Sequence, residues 1–316
     1  MNFSSLPDEL LSEIFYFLDT QFKINQINFI SKKFKKLSQQ QITKLNFDEQ
    51  KETFDDSTLK NILNIFNRLK IIDISYSENL KSPKISSNYL ENLDLSSTNI
   101  SENSMKEILK NNPNLNILNI SNVKCINDIQ IEHQKVSNLI LSESSISKNS
   151  FQYLLENFPS LKILELSFSQ NINSFQINSK IIEELYLEHT ELNDETLLNI
   201  FENCPKLNLL NLRSCLKITN FDNYQHQNLT NLNLSSTRIS NFYLSNFNFP
   251  MLKNLNLKSC VYLNEISIEE DHKNIEWINL SKIEIISDII ISLKSKFKDL
   301  QIIQMKENEQ TYKFGF

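Results

Sequence analysis

From residue 69 onward the apolar positions keep one spacing: an aliphatic residue, two others, an aliphatic, one other, an aliphatic. Leu69/Ile72/Ile74, Leu90/Leu93/Leu95 and Leu115/Leu118/Ile120 open a series of eleven such triplets that closes on Leu300/Ile303/Met305. A degenerate twelfth, Ile42/Leu45/Phe47, stands ahead of them. The first anchors are separated by 21, 25, 21, 25, 21, 25, 22, 23, 23 and 25 residues, so long and short units alternate and pair into a double repeat near 46. Alternation within each triplet predicts a short strand with its anchors turned inward. The long units add stretches with helical spacing, at Ser104 to Lys110, Ser150 to Phe158 and Glu195 to Asn203, and Pro113, Pro159 and Pro205 end them. Segments of the short units, such as Ser174 to Ile177 and Glu265 to Ile268, read as extended or irregular.

No single unit can bury its anchors, so the units must stack, with the strands pairing into one parallel sheet. Helices are wider than strands, and the stack should curve with the sheet on its inner, concave side. The expected fold class is therefore an α/β solenoid, with helices and irregular segments on the convex side.

The same alternation turns two further positions of each triplet outward, one on either side of the middle anchor. The column after the middle anchor includes Glu165, Tyr186 and Asn211, and the column before it includes Ile117, Ile163, Glu184, Leu209 and the single Trp, Trp277. Ile117, Ile163, Leu209 and Trp277 are apolar without being needed for the core. With Glu188 and Arg213 these ten residues form a mixed apolar and charged face, and they are the candidate substrate-binding residues of the concave side. Aromatic and Arg side chains commonly anchor interfaces. The competing reading is that the apolar column covers itself between coils.

Three residues after the last anchor stands a small or polar residue: Thr98, Ser144, Ser169, Thr190, Cys215, Thr237 and Cys260. In leucine-rich repeats this is the Asn/Cys/Thr position, whose side chain can satisfy turn backbone. The run Asn203-Cys204-Pro205-Lys206-Leu207, continued by Leu212, Cys215, Ile218 and Thr219, closely resembles the cysteine-containing leucine-rich repeat, a subtype common in F-box proteins.

Before the repeats, Leu6, Leu10, Ile14 and Leu18 recur every fourth residue, with Leu11 and Phe15 widening the stripe and Pro7 suited to the first helical turn. A second helical segment runs from Ile24 to Leu37 and contains Ile27, Ile30 and Phe34. Residues 1–45 resemble an F-box. Leu6, Pro7, Glu9, Leu10, Leu11, Ile14, Phe15 and Leu18 match its opening, and Ser31, Phe34 and Leu37 its later helix, with Phe34 where Trp is usual. The resemblance implies docking of a Skp-type adaptor, and through it a cullin, by Leu6, Pro7, Leu10, Leu11, Ile14, Phe15, Leu18, Ile27, Ile30 and Phe34. It further implies a substrate-recognition subunit of an SCF-type ubiquitin ligase, with the repeats holding a protein substrate. The expected organisation is a helical F-box-like domain over 1–45, a repeat array over 46–306 and a tail over 307–316. The alternative is a standalone repeat scaffold or inhibitor whose N-terminal helices cap the solenoid.

Composition narrows the chemistry. One Gly in 316 residues leaves no phosphate-cradling loop. The net charge of -6 divides as +2 over residues 1–45 and -8 over the rest, so nucleic acid is not the expected partner of the main body. Met1 to Ser5 shows no secretory pattern, and no apolar run approaches the ~20 residues of a membrane span. The expected location is the cytoplasm or nucleus, and the four Cys read as reduced thiols. His133, His226 and His272 each stand three residues before an anchor, which predicts a turn role rather than metal ligation. Lys32-Lys33-Phe34-Lys35-Lys36 reads as a solvated helix face, with a nuclear signal as the other reading. No catalytic residue, metal or cofactor is expected.

Overall fold

The computed structural model describes residues 7, 10, 43–46 and 55–303, apart from 170–171, 173–174, 222–223, 246–247, 271, 284–286 and 298–299. The chain forms two compact units, Met1–Ile140 with Gln152–Ser160, and Leu141–Phe151 with Leu161–Phe316.

In the first unit five parallel strands pair in chain order: β1 (Lys44–Asn46), β2 (Ile71–Asp73), β3 (Asn92–Asp94), β4 (Ile117–Asn119) and β5 (Asn138–Ile140). The middle anchor of the degenerate triplet, Leu45, is fully buried and stands in register with Ile72. In the second unit the order is β6 (Ile163–Glu165), β7 (Glu184–Tyr186), β8 (Leu209–Asn211), β9 (Asn231–Asn233), β11 (Asn254–Asn256), β13 (Trp277–Asn279) and β14 (Gln301–Ile303). A separate parallel pair joins β10 (Asn241–Leu244) to β12 (Glu265–Ile268). Each middle anchor from Ile72 to Ile278 is at most 2% exposed. Burying such a side chain stabilises by about 1.5–3 kcal/mol, which is what drives coil onto coil.

Five helices are described: α1 (Asp56–Ile65), α2 (Glu102–Asn111), α3 (Lys148–Asn157), α4 (Asp194–Asn203) and α5 (Ser287–Lys296). Their starts follow the double repeat. Asp55, Ser101, Ser147 and Asn193 stand 46 residues apart, and each side chain accepts a backbone N–H three residues on. These N-caps satisfy amides that a helix start leaves open. The unit from Leu229 to Leu252 has 23 residues instead of 25, two short of what this helix needs. It carries Phe242 and Tyr243 and forms β10 instead.

Two residues after every last anchor from Ile74 to Leu280 the backbone turns left-handed, at φ 53° to 59°. The ten residues concerned are Tyr76, Ser97, Asn122, Glu143, Phe168, His189, Ser214, Ser236, Ser259 and Lys282. Gly would adopt this turn freely, and this chain has none to spend there. The turn is held because its N–H donates to a carbonyl of the next coil, as Glu143 to Ser167, Ser214 to Ser235 and Ser236 to Lys258. Replacing Glu143, Ser214 and Ser236 together by Gly is expected to stabilise the second unit by about 1–3 kcal/mol. Urea unfolding of the triple variant measures this, and a lower midpoint than wild type would refute the account of strain.

Candidate protein-binding face

Most of the outward column serves the turn that follows it. The side-chain oxygens of Asp73, Asp94, Asn119, Asn211, Asn233, Asn256 and Asn279 each accept the backbone N–H two residues on. These Asx turns end the three-residue strands and connect them to the left-handed residues. Asn fills the column for this reason, since its oxygen caps and its amide remains free to donate sideways. Asn119 donates to Asp94 at 2.8 Å, and Asn211 donates to Glu188.

This corrects one expected contact. Asn211 is 1% exposed, and both ends of its carboxamide are engaged, so it supports the face from beneath instead of meeting a partner. The other candidates are accessible in some degree. Ile117 is half-buried on β4 in the first unit. In the second unit Ile163, Glu165, Glu184, Tyr186, Glu188, Leu209 and Trp277 are half-buried and Arg213 is exposed. Pairing in register brings Ile163, Glu184 and Leu209 side by side on β6, β7 and β8.

Three carboxylates gather on the β6–β7 side of this face. Glu165 accepts the Ser142 hydroxyl at 2.9 Å, Glu184 accepts the Tyr186 hydroxyl at 2.9 Å, and Glu188 accepts the Asn211 amide. Among the described residues none of the three has a recorded ion pair. Burial pushes the Tyr186 phenol well above its ordinary value, and Glu184 and Glu165 add to the shift. Further along, Leu209, Asn231, Asn254 and Trp277 line a shallow depression. Asn254 donates to Asn231 and Asn231 to Thr230, so these two carboxamides between the apolar residues are joined to each other.

Of the residues expected to dock an adaptor, Pro7 and Leu10 are described. Pro7 is exposed, and Leu10 is helical and 47% exposed. Leu6, Leu11, Ile14, Phe15, Leu18, Ile27, Ile30 and Phe34 lie outside the described residues, as does the tail over 307–316.

The histidines and cysteines carry structure. Nε2 of His133, His226 and His272 meets the carbonyl oxygens of Asn112, Cys204 and Phe249, at 2.8 to 3.0 Å. Each of those carbonyls belongs to the residue before a Pro. Nδ1 of His133 accepts the N–H of Lys135 and Val136, and Nδ1 of His226 that of Asn228. In His133 and His226 an accepting Nδ1 places the proton on Nε2, which donates to the carbonyl. Cys215 and Cys260 donate Sγ–H to Leu187 and Leu234 carbonyls at 3.0 Å, and Thr98 donates to Leu95 from the same position. Burial raises all four thiols, Cys204 to about 11, which keeps them protonated near neutrality. Among the described residues no three His, Cys, Asp or Glu side chains are placed to hold a metal, and no helix is long and apolar enough to cross a membrane.

Burial holds His133 and His226 below the ordinary imidazole range. The unfolded chain therefore binds their protons first, and the stability they contribute is present above pH ~6.5 and lost as the pH falls toward the folded values. Thermal midpoints should drop between pH 7 and pH 5, and His133→Asn/His226→Asn should flatten that drop. An unchanged slope would show that these rings do not govern it.

The exposed rim was not foreseen. The left-handed residues Phe168 and His189 stack with ring centroids 4.5 Å apart, although Phe168 is 52% exposed. The only signal for them is their place two residues after an anchor.

Residues 3–46 match the F-box domain model. No curated protein matches the chain. Among solved structures, InlP of Listeria monocytogenes is similar at 18% identity and a TM-score of 0.38, covering 84% of this chain and 62% of that one. TLR13 of the TLR13–ssRNA13 complex is similar at 17% identity and a TM-score of 0.45, covering 81% of this chain and 37% of that one. The APL1 leucine-rich repeat domain is similar at 15% and 0.25, covering 71% and 76%. The chain spans less than two thirds of the first two. The F-box match thus stands ahead of an array of parallel-stranded repeats.

Proposed function

We propose that this chain is the substrate-recognition subunit of an SCF-type ubiquitin ligase. The F-box docks a Skp-type adaptor and through it a cullin, and the sheet face of the repeats holds a protein substrate. The contribution is proximity and orientation, with no catalytic group of its own. The observation that supports this best is the F-box match at residues 3–46 ahead of a repeat array whose outward side chains exceed what the core requires. Leu10, helical and 47% exposed, is available for such docking.

The test is recovery of the tagged full chain from cells. Adaptor and cullin should co-purify with wild type, and both should be lost from Leu10→Asp/Ile14→Asp. A folded wild type that recovers neither refutes the reading. The scaffold reading has one observation in its favour: residues 44–46, at the end of the F-box match, also form the first strand of the array. On that reading, deleting residues 1–40 unfolds the repeats and no adaptor is recovered at any stage.

A further inference from the structure

The sheet face of the second unit is uneven in charge. Glu165 on β6, Glu184 on β7 and Glu188 just beyond β7 are balanced by hydroxyl and amide donors alone among the described residues. Glu143 is exposed one coil earlier within the same unit. Of the basic side chains on this face, Arg213 follows β8 in the coil beside Glu188, and Lys258 follows β11. Between Leu209 and Trp277 the floor is the Asn231–Asn254 pair, whose mutual hydrogen bond lowers its demand for water. An apolar side chain laid there covers Leu209 and Trp277 over two carboxamides already joined to each other.

We propose that this face takes an extended protein segment in which a Lys or Arg stands three or four residues from a large apolar side chain. The inference rests on the reading of the repeats as the substrate-holding part. The spacing follows from the sheet. The middle of the depression lies between β9 and β11, two to three strands from β7, or roughly 12 Å at strand spacing. An extended segment crosses that distance in about three or four residues. Polarity sets the direction: the basic residue sits toward Glu165 on β6 and Glu184 on β7, the side of the face away from Lys258. Tyr186, half-buried on β7 and donating its hydroxyl to Glu184, belongs to the acidic part of the face.

The experiment is selection of a displayed random twelve-residue peptide library on the immobilised full chain, with Trp277→Ala and Glu165→Lys/Glu184→Lys beside it. Wild type should enrich peptides carrying Lys or Arg three or four positions from Leu, Phe or Trp, at least tenfold over those with Asp or Glu there. Trp277→Ala should lose the apolar requirement, and Glu165→Lys/Glu184→Lys should turn the charge preference to acidic. Absence of enrichment, enrichment blind to charge, or indifference to both variants overturns the proposal. A concentration-dependent dimer dissolved by Trp277→Ala also overturns it, because the face then meets a second copy. Adaptor recovery by the same variants separates the two readings. If adaptor binding persists while peptide preference is absent, this inference fails and the ligase reading stands. If wild type never binds adaptor, the ligase reading fails.

Discussion

Phe221→Ala is expected to destabilise the second unit by about 3–5 kcal/mol, the range for removing a large buried aromatic side chain. Phe221 is 1% exposed and lies in the irregular segment after β8. Its ring stacks on Phe242 and Phe249 at 5.5 and 5.8 Å, and meets Tyr224 and Phe201 edge-on at 5.1 and 6.1 Å. Phe201 comes from α4 and Phe242 from β10, so one side chain joins the return segments of successive coils. This is where the regular helix gives way to a strand, and the aromatic rings pack against one another beside it. Stability in a solenoid is close to a sum of neighbour terms, so the loss should be local. Urea unfolding should show the lower midpoint, and amide exchange should quicken around α4, β9 and β10 before it does in β2 to β4. A loss below ~1 kcal/mol would mean that the cluster collapses onto the gap, contrary to its close packing.

Asn119→Asp is the second large effect. Asn119 donates to the Asp94 carboxylate at 2.8 Å while its own oxygen accepts from Ser121. The substitution keeps the cap and replaces the donor with a second carboxylate. It removes a charge-assisted hydrogen bond and sets two like charges side by side, an expected cost of about 2 kcal/mol near pH 7. The sign follows from linkage. The crowded pair holds a proton more tightly when folded than when unfolded, so the penalty is present at neutral pH and fades as the pH falls toward the ordinary carboxylate range. Asp94→Asn in the same chain should restore stability at pH 7 by reversing the pair. If the double variant is no more stable than Asn119→Asp, the sideways bond is not what matters.

These two sites show what the sequence could and could not disclose. The anchors are legible because burial enforces their spacing: Leu164, Leu185 and Leu210 fall where the pattern puts them. The helices over Glu102–Asn111, Lys148–Asn157 and Asp194–Asn203 are legible for the same reason, and the Pro after each marks its end. The outward column is harder. Period two says that Asn211 leaves the core, and it does not say that the carboxamide folds down to cap Arg213 and hold Glu188. That depends on the turn beyond the strand, whose left-handed residue carries no Gly to reveal it. Asn also follows the composition of the whole chain, so its repetition carried little signal until its hydrogen bonds were seen. The histidines were placed correctly by register, since three residues before an anchor is where a turn must be closed.

The face itself was legible as a set of positions, with Ile163, Glu184, Leu209 and Trp277 all in the expected column. Its division into an acidic part and an apolar part depends on which side chains already have partners, and spacing alone does not give that.

The most direct test of the account is a calorimetric titration of purified Skp-type adaptor into the purified full-length protein. The account predicts a one-to-one complex with a dissociation constant of about 1 μM or tighter, weakened by about a hundredfold or more in Leu10→Asp/Ile14→Asp with the fold intact by circular dichroism. A correctly folded wild type that shows no association at adaptor concentrations of about 100 μM would contradict it.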